Sequence, residues 1–145
     1  MIERSVYIIK PEAVAHRELI CSRICEASLR IIAHKIVVLP THAIESLYPD
    51  MEADLHAATL HFLGVGPSEI GIVEGVDAVK RLNYVVGEFV DPTECPPNTL
   101  RGSFGFRSPV KWGGATYFLN GLHRSRDASE VARDLALFDS LIPTK

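Results

Sequence analysis

The chain has 145 residues, of which 47% are hydrophobic and 23% are charged. That length and composition are typical of a single globular domain and exclude a disordered chain. Fifteen lysines and arginines stand against 18 aspartates and glutamates, a formal net charge of −3. No overall basic field therefore favours nucleic acid or an anionic membrane as a partner, and any phosphate-binding site has to be local.

The pattern of apolar residues predicts alternating strands and helices along the chain. Short β-branched runs predict strands, and apolar residues three or four positions apart predict the buried face of a helix. In chain order the predicted elements are a strand at 5–9, a helix at 17–30, a strand at 31–39, two short helices at 43–47 and 51–63, a strand at 69–74, a helix at 76–86, a strand at 117–122 and a helix at 127–138.

This order of elements predicts an α/β fold of the α+β type. The predicted arrangement is a ferredoxin-like split β-α-β, in which helices cover the faces of a four-stranded antiparallel sheet. Asp127 is the expected N-cap of the last helix, with Glu130 three residues further on. No repeat or linker interrupts the pattern, so we expect residues 1–145 to form one domain.

One long stretch, residues 91–114, has no predicted helix or strand. It contains Pro92, Pro96, Pro97 and Pro109 together with a pair of glycines, and these residues predict a loop throughout. Structureless loops of this length in compact domains are usually functional.

The cysteines and the N-terminus predict a cytoplasmic protein. The three cysteines show no zinc-binding spacing, which favours reduced thiols. No apolar run reaches the roughly 18 residues that span a bilayer, and Lys10-Pro11-Glu12 follows the first strand too early for a signal peptide. We therefore expect no membrane partner.

The common phosphate-binding motifs, GxxxxGK[ST] and GxGxxG, are absent from the sequence. Five separated segments stand out instead. They are IIKPEAV at 8–14, GP at 66–67, VEG at 73–75, NTLRGSFG at 98–105 and NGLHRS at 120–125.

The order and spacing of these segments resemble those of the nucleoside diphosphate kinases, from Arg4 to about Phe138. The resemblance implies transfer of the γ-phosphate of a nucleoside triphosphate to a nucleoside diphosphate, through a phosphohistidine intermediate and with ping-pong kinetics. It also implies Mg²⁺ as a cofactor, held mainly by the nucleotide phosphates, so no protein metal ligand is expected. Members of the family are usually homo-oligomers, most often hexamers, and the protein partners of this chain are expected to be its own copies.

The resemblance implies that His123 is the nucleophile. A neutral imidazole suits that role, because its ordinary pKa of about 6.5 leaves it mostly unprotonated at cytosolic pH. Ser125 and Asp134 occupy the positions whose side chains orient the imidazole. Asp134 is one methylene shorter than the glutamate of the family.

Four further residues match the positions that contact the nucleotide. Lys10 and Arg101 correspond to the phosphate-binding cations, which suit a transition state that spreads negative charge over the transferring oxygens. The hydroxyl of Tyr48 is expected near the phosphate on the nucleophile, and Asn120 near the ribose hydroxyls. We expect all four to be functional.

The sequence also departs from the family at several nucleotide-binding positions. A second phosphate-contacting arginine aligns with Asn83, a threonine with Val90, and the aromatic residue that stacks on the base with Leu55, or with His56 under a different gap placement. Leucine has no ring, so weaker base stacking and no strong base preference are expected.

The residue after the nucleophile also differs from the family, because Arg124 stands where the family has a glycine. This requires a negative φ at residue 124. Arg124, Arg126 or Arg107 could supply the cation that Asn83 lacks, and Arg124 is the first choice because it adjoins His123. The segment 106–118 is longer than usual in the family.

Two functions from different classes follow. The first is a working nucleoside diphosphate kinase, favoured by Lys10 and His123. The alternative is a catalytically weakened nucleotide-binding or scaffold member of the same fold, favoured by Asn83 and Val90. A third hypothesis, a ferredoxin-like regulatory domain unrelated in function, would make the segment at 120–125 a coincidence.

Overall fold

The computed structural model describes residues 1–142 and contains an antiparallel sheet of four strands in the order β2-β3-β1-β6. The elements are β1 (Ile2–Ile9), a 3₁₀ turn (Val14–His16), α1 (Arg17–Glu26), β2 (Arg30–Val37), α2 (Thr41–Leu47), α3 (Ala53–Gly64), β3 (Ser68–Val76), α4 (Ala78–Val86), a 3₁₀ turn (Pro92–Glu94), α5 (Leu100–Phe104), β4 (Val110–Trp112), β5 (Ala115–Tyr117), β6 (Leu122–Arg124) and α6 (Ala128–Leu141). The predicted fold class is confirmed.

Strand β1 lies at the centre of the fold and contributes to two hydrophobic cores. Tyr7 and Ile9 pack into the core beneath α1 and α4, and Val6 and Ile8 pack into the core beneath α2, α3 and α6. A strand segment buried on both faces is expected to be a continuous apolar run, as residues 6–9 of β1 are. The end of β1, where Lys10 follows, is therefore held firmly from both sides.

The prediction of a loop throughout 91–114 is wrong. Pro92 lies in the first turn of a 3₁₀ segment, where a missing N–H is tolerated. Thr99 caps α5 by accepting a hydrogen bond from the Gly102 N–H, and β4 pairs with β5 through a turn in which Gly113 has a φ of +60°. The prolines mark the starts of short elements and not an absence of structure.

The predicted position of the fourth strand, residues 117–122, is also wrong. Tyr117 ends β5, which belongs to the separate hairpin. The fourth strand of the main sheet begins at Leu122, after Gly121 with a φ of +84°. Asn120, which the sequence pattern places inside a strand, therefore precedes one.

The other differences are shifts of element ends. Helix α1 ends at Glu26 instead of residue 30, and β3 extends to Val76, so α4 begins at Ala78. The expected cap of α6 is confirmed, because the Asp127 carboxylate accepts a hydrogen bond from the Glu130 N–H. Within residues 1–142, no helix is long and apolar enough to cross a membrane.

Candidate active site

A cleft of about 430 Å³ opens at the edge of the sheet where β1 ends and the antiparallel strand β6 begins. Pairing between the two strands places His123 opposite Ile8, and the N–H of Lys10 donates to the carbonyl of Gly121, 2.8 Å away. Most of the residues that the sequence assigns to nucleotide binding or catalysis line this cleft: Lys10, Tyr48, Leu55, Val90, Arg101, Asn120 and His123.

His123 is buried and its two ring nitrogens have different neighbours. Nε2 lies 3.3 Å from Oδ2 of Asp134, and Nδ1 lies 3.2 Å from the hydroxyl of Tyr48. The hydroxyl of Ser125 donates to the same Oδ2 at 2.8 Å. A carboxylate beside Nε2 selects the tautomer with its proton there, which leaves the lone pair of Nδ1 on the Tyr48 side.

Burial favours the neutral imidazole of His123, whereas hydrogen bonds keep Asp134 ionised. Burial lowers the pKa of His123 below its ordinary value, and the Asp134 carboxylate offsets only part of that effect. Burial alone would raise the pKa of Asp134, but hydrogen bonds from His123 and Arg133 outweigh it and hold that pKa below its usual range. Burial also raises the pKa of Tyr48, which therefore keeps its hydroxyl proton.

Three buried cations, here named the cation cluster, lie in the same cleft: Lys10, Arg101 and Arg124 are only 5%, 5% and 8% exposed. Burial lowers the pKa of Lys10 to about 8, and burial with the neighbouring Arg124 lowers the pKa of Arg101 to about 10. Within residues 1–142, no carboxylate lies within 4.0 Å of any of the three.

The cation cluster is bound instead to neutral groups. Nζ of Lys10 donates to Oδ1 of Asn120 at 2.9 Å, and the Asn120 amide donates to the carbonyl of Val90. Nε and Nη2 of Arg101 donate to the carbonyl of Leu122, and its Nη1 donates to the carbonyls of Gly87 and Phe89. These contacts orient the cations without cancelling their charge.

A family model described as nucleoside diphosphate kinase matches residues 3–140. The chain belongs to the nucleoside diphosphate kinase family. This confirms the family that the sequence resembles.

Solved structures of the same fold include three nucleoside diphosphate kinases. The halophilic enzyme from Halobacterium salinarum, in complex with CDP, has a TM-score of 0.82 and 22% identity, covering 100% of this chain and 93% of that one. The enzyme from Borrelia burgdorferi, solved as a transition state mimic with bound vanadate and ADP, has a TM-score of 0.81 and 19% identity. The match covers 99% of this chain and 92% of that one. The enzyme from Aquifex aeolicus has 0.79 and 22%, covering 95% of each chain.

The residues that the resemblance identifies as departures from the family lie in three different places. Asn83 is on α4 and lines the neighbouring groove, where its amide donates to the backbone carbonyl of Arg126 at 3.0 Å. Val90 is at the cleft mouth with an exposed side chain. Leu55 lines the cleft, whereas His56 lies against Glu45, with 3.2 Å between His56 Nε2 and Glu45 Oε2.

The structure also allows a side chain at the position after the nucleophile. Arg124 is absent from the residues with positive φ, so the condition for replacing glycine is met. Of the three arginines considered as substitutes for the one missing at Asn83, Arg124 and Arg126 line the cleft. Arg107 is exposed and does not line it.

Sequence reasoning missed the hairpin of β4 and β5 as part of the site. Its last strand and the residue after it bring Thr116, Tyr117 and Phe118 to the cleft wall. The hairpin packs on α3, where the ring of Tyr117 stacks on Phe62 with 4.9 Å between centroids. The Gly113-Gly114 pair between two short apolar stretches was the signal that could have indicated this hairpin.

The carboxylates of the cleft do not form a cage for a metal ion. Among the described residues, Glu88 and Glu130 are the carboxylates that line it, and Glu130 accepts a hydrogen bond from Arg126 at 3.0 Å. No group of three or more His, Cys, Asp or Glu side chains within residues 1–142 is placed to hold an ion. The donor set suits phosphate oxygens better than a bare cation.

Proposed function

We propose that this protein is a nucleoside diphosphate kinase with a phosphohistidine intermediate. The supporting observation is that the cation cluster shares a cleft with a neutral, oriented His123 and has no carboxylate partner in the described chain. A buried cation without a counter-charge is costly, and the phosphates of a nucleotide would supply that charge. The relatives solved with CDP and with ADP and vanadate support a nucleotide as the ligand.

In the proposed reaction, the lone pair of His123 Nδ1 attacks the γ-phosphorus. The bond from that phosphorus to the β–γ bridging oxygen breaks, and the nucleoside diphosphate leaves with both electrons. A terminal oxygen of a second nucleoside diphosphate then attacks the phosphohistidine, and the N–P bond electrons return to Nδ1. Covalent catalysis thus divides one transfer between two polyanions into two steps at a single site.

The residues around His123 support each step electrostatically. Asp134 accepts the Nε2–H and stabilises the positive charge of the phosphorylated ring, and Ser125 holds the carboxylate in position. Lys10 and Arg101 neutralise the phosphate oxygens as charge develops. The Tyr48 hydroxyl, next to Nδ1, is placed to donate to the transferring group.

Mg²⁺ is proposed to enter with the nucleotide, held by phosphate oxygens. When bound, it would neutralise phosphate charge. Glu88 and Glu130 are too few to form a protein cage, and no protein ligand is assigned. The family resemblance further supports a cytoplasmic homo-oligomer, with a hexamer favoured.

The second candidate function is a nucleotide-binding or scaffold member with weak turnover. Two observations favour it: Asn83 carries no charge and lies outside the cleft, and Val90 has no hydroxyl to offer a phosphate. This candidate keeps nucleotide binding but forms little phosphoenzyme.

Labelling with γ-³²P-ATP and Mg²⁺ tests the proposal. The wild type is expected to carry label that is stable in alkali and lost in mild acid, as for an N-linked phosphate. His123→Ala should abolish the label, and His42→Ala, which changes an exposed histidine outside the cleft, should keep it. Acid-stable label, or equal label in His123→Ala, would rule out this mechanism, and ADP binding without label would favour the second candidate.

A further inference from the structure

Arg124 is the one member of the cation cluster that the family resemblance does not account for. It follows His123 on β6 and pairs with Tyr7 of β1. Successive residues of a strand point to opposite faces, yet both His123 and Arg124 line the cleft beside the edge strand β6. Its guanidinium reaches the loop that follows α4.

The hydrogen bonds of Arg124 leave much of its donor capacity unused. Nη2 donates to the carbonyls of Gly87 and Glu88 at 3.3 and 3.4 Å, which are long contacts. Nε is buried and has no partner among the described residues. A guanidinium carries five N–H donors, and an unsatisfied buried donor is costly. Nη1 makes no hydrogen bond to a described residue and is not among the fully buried atoms, so its N–H groups remain for an acceptor in the cleft.

Arg101 and Arg124 share an acceptor, which brings two like charges together. Nη1 of Arg101 donates to the Gly87 carbonyl at 3.2 Å, the same oxygen that Nη2 of Arg124 contacts. Gly87 has a φ of +109°, and a Cβ there would lie 2.9 Å from Sγ of Cys95. The carbonyl that positions both arginines therefore depends on a glycine.

The other arginine at the cleft is a weaker candidate for phosphate binding. The Arg126 side chain is 71% exposed and already paired with Glu130 at 3.0 Å. Exposure and pairing both reduce the field that it exerts on a ligand.

We propose that Arg124 and Arg101 together form a two-guanidinium clamp for the terminal phosphates of the nucleotide. Arg124 thereby supplies, from the strand of the nucleophile, the cation that the Asn83 position on α4 lacks. Guanidinium forks match phosphate oxygens in bidentate geometry, and a bound phosphate would give Nη1 of Arg124 an acceptor. The clamp deepens the proposed function and rests on it for the identity of the ligand.

The test compares Arg124→Gln and Arg124→Lys with the control Arg107→Gln, which changes an arginine outside the cleft. Dissociation constants for ADP, AMP and adenosine are measured by calorimetry, and thermal unfolding is measured with and without ADP. The affinity of Arg124→Gln for ADP is expected to fall about 10- to 100-fold, with a smaller loss for AMP and none for adenosine. Arg124→Lys should recover part of the loss, and the control should behave as the wild type.

The unfolding temperature separates this role from a structural one. Removing an unpaired buried cation should leave the ligand-free Arg124→Gln variant as stable as the wild type, or more stable, while reducing its stabilisation by ADP. A lower unfolding temperature without ligand, together with equal losses for ADP and adenosine, would show that Arg124 is structural. Unchanged ADP affinity in the variant, or no ADP binding by the wild type, would also overturn the clamp.

The same measurements distinguish the clamp from the proposed reaction. If wild-type ADP binding depends on Arg124 but no acid-labile phosphoprotein forms, the clamp is supported and the kinase mechanism fails. If the phosphoprotein forms and Arg124→Gln binds ADP as well as the wild type does, the mechanism is supported and the clamp is wrong.

Discussion

Two buried polar clusters flank strand β1, and their charges are balanced in opposite ways. In the first, here named the Glu69 cluster, the carboxylate of Glu69 accepts hydrogen bonds from the Tyr7 hydroxyl at 2.6 Å, from Sγ of Cys21 at 3.2 Å and from Nε of Arg17. Burial alone would raise the pKa of Glu69, but these hydrogen bonds outweigh it and hold the pKa below its usual value. The chain supplies this buried charge with its own partners.

In the second, the cation cluster, the chain supplies only carbonyl and amide oxygens. Lys10 has the Asn120 amide oxygen, and Arg101 and Arg124 have backbone carbonyls. Dipoles hold the side chains in place, and the more distant carboxylates of Glu12 and Glu130 offset only part of the effect of burial on Lys10 and Arg124. The comparison teaches that burial alone does not mark a functional charge, whereas burial without a counter-charge indicates that a ligand completes the site.

The largest expected effect comes from removing a cation that the chain leaves unpaired. Lys10→Met should lower kcat/KM by about 10³-fold, the upper range for loss of one charge-stabilising donor. The unfolding temperature without ligand should stay the same or rise, because a buried unpaired ammonium is removed. Steady-state kinetics and thermal unfolding measure the two effects.

The pH dependence of kcat/KM tests whether that variant loses activity through the charge of Lys10. Because its pKa is about 8, the ammonium loses its proton as the pH rises through 8, and wild-type kcat/KM should fall there. Lys10→Met should lack this alkaline decrease. A variant that loses activity and stability together, and keeps the decrease, would break the distinction between the two clusters.

Removing Glu69 should have the opposite effect, because it should lower the stability of the fold and leave ligand binding unchanged. Glu69→Ala leaves the buried hydroxyl of Tyr7 without its acceptor and Arg17 without its counter-charge. The free energy of unfolding should fall by about 3 kcal/mol, the lower end for a broken buried pair because Arg17 is partly exposed. Urea denaturation measures this, and Glu74→Ala, which removes a carboxylate from a surface ion pair, should cost much less.

The ADP affinity of folded Glu69→Ala should match that of the wild type. A variant that keeps its stability but loses ADP affinity would place the Glu69 cluster in the binding site. That result would contradict the assignment of the cluster to the fold.

The smallest effect is expected for Asp134. Its carboxylate contacts His123 in the site but, unlike the cation cluster, has a partner of opposite charge in Arg133. Asp134→Asn should lower kcat by about 10- to 100-fold, because a charge-assisted hydrogen bond to His123 becomes a neutral one. The carboxylate raises the pKa of His123, so its loss should move the acidic limb of the kcat/KM profile to lower pH. A limb that stays in place or moves to higher pH would show that Asp134 does not act through the ring.

The sequence predicted the parts of the site that depend on local order. The β-branched run of β1 places Lys10 at a strand end, whereas His123, expected just after a strand at 117–122, lies within β6. Asp134, eleven residues after His123 on the last helix, also reaches the ring at the expected position. The strand end follows from the local sequence, whereas the contact between Asp134 and His123 was implied by the family resemblance.

The parts that it did not predict depend on contacts between distant segments. Strands β4 and β5 are three residues each, too short for a periodic pattern, and they form where the rings of Trp112 and Tyr117 contact α3. The position of Asn83 outside the cleft depends on how α4 is rotated against the sheet. That rotation is a property of packing and leaves no local signature.

The hairpin has a practical consequence for measurement. Trp112 is the only tryptophan of the chain, and its indole stacks on His61 of α3 with 4.8 Å between ring centroids. The emission of an indole depends on what surrounds it, so intrinsic fluorescence reports whether this hairpin is docked. The protein thus contains its own optical sensor beside the cleft, and ligand titrations can be followed without attaching a dye.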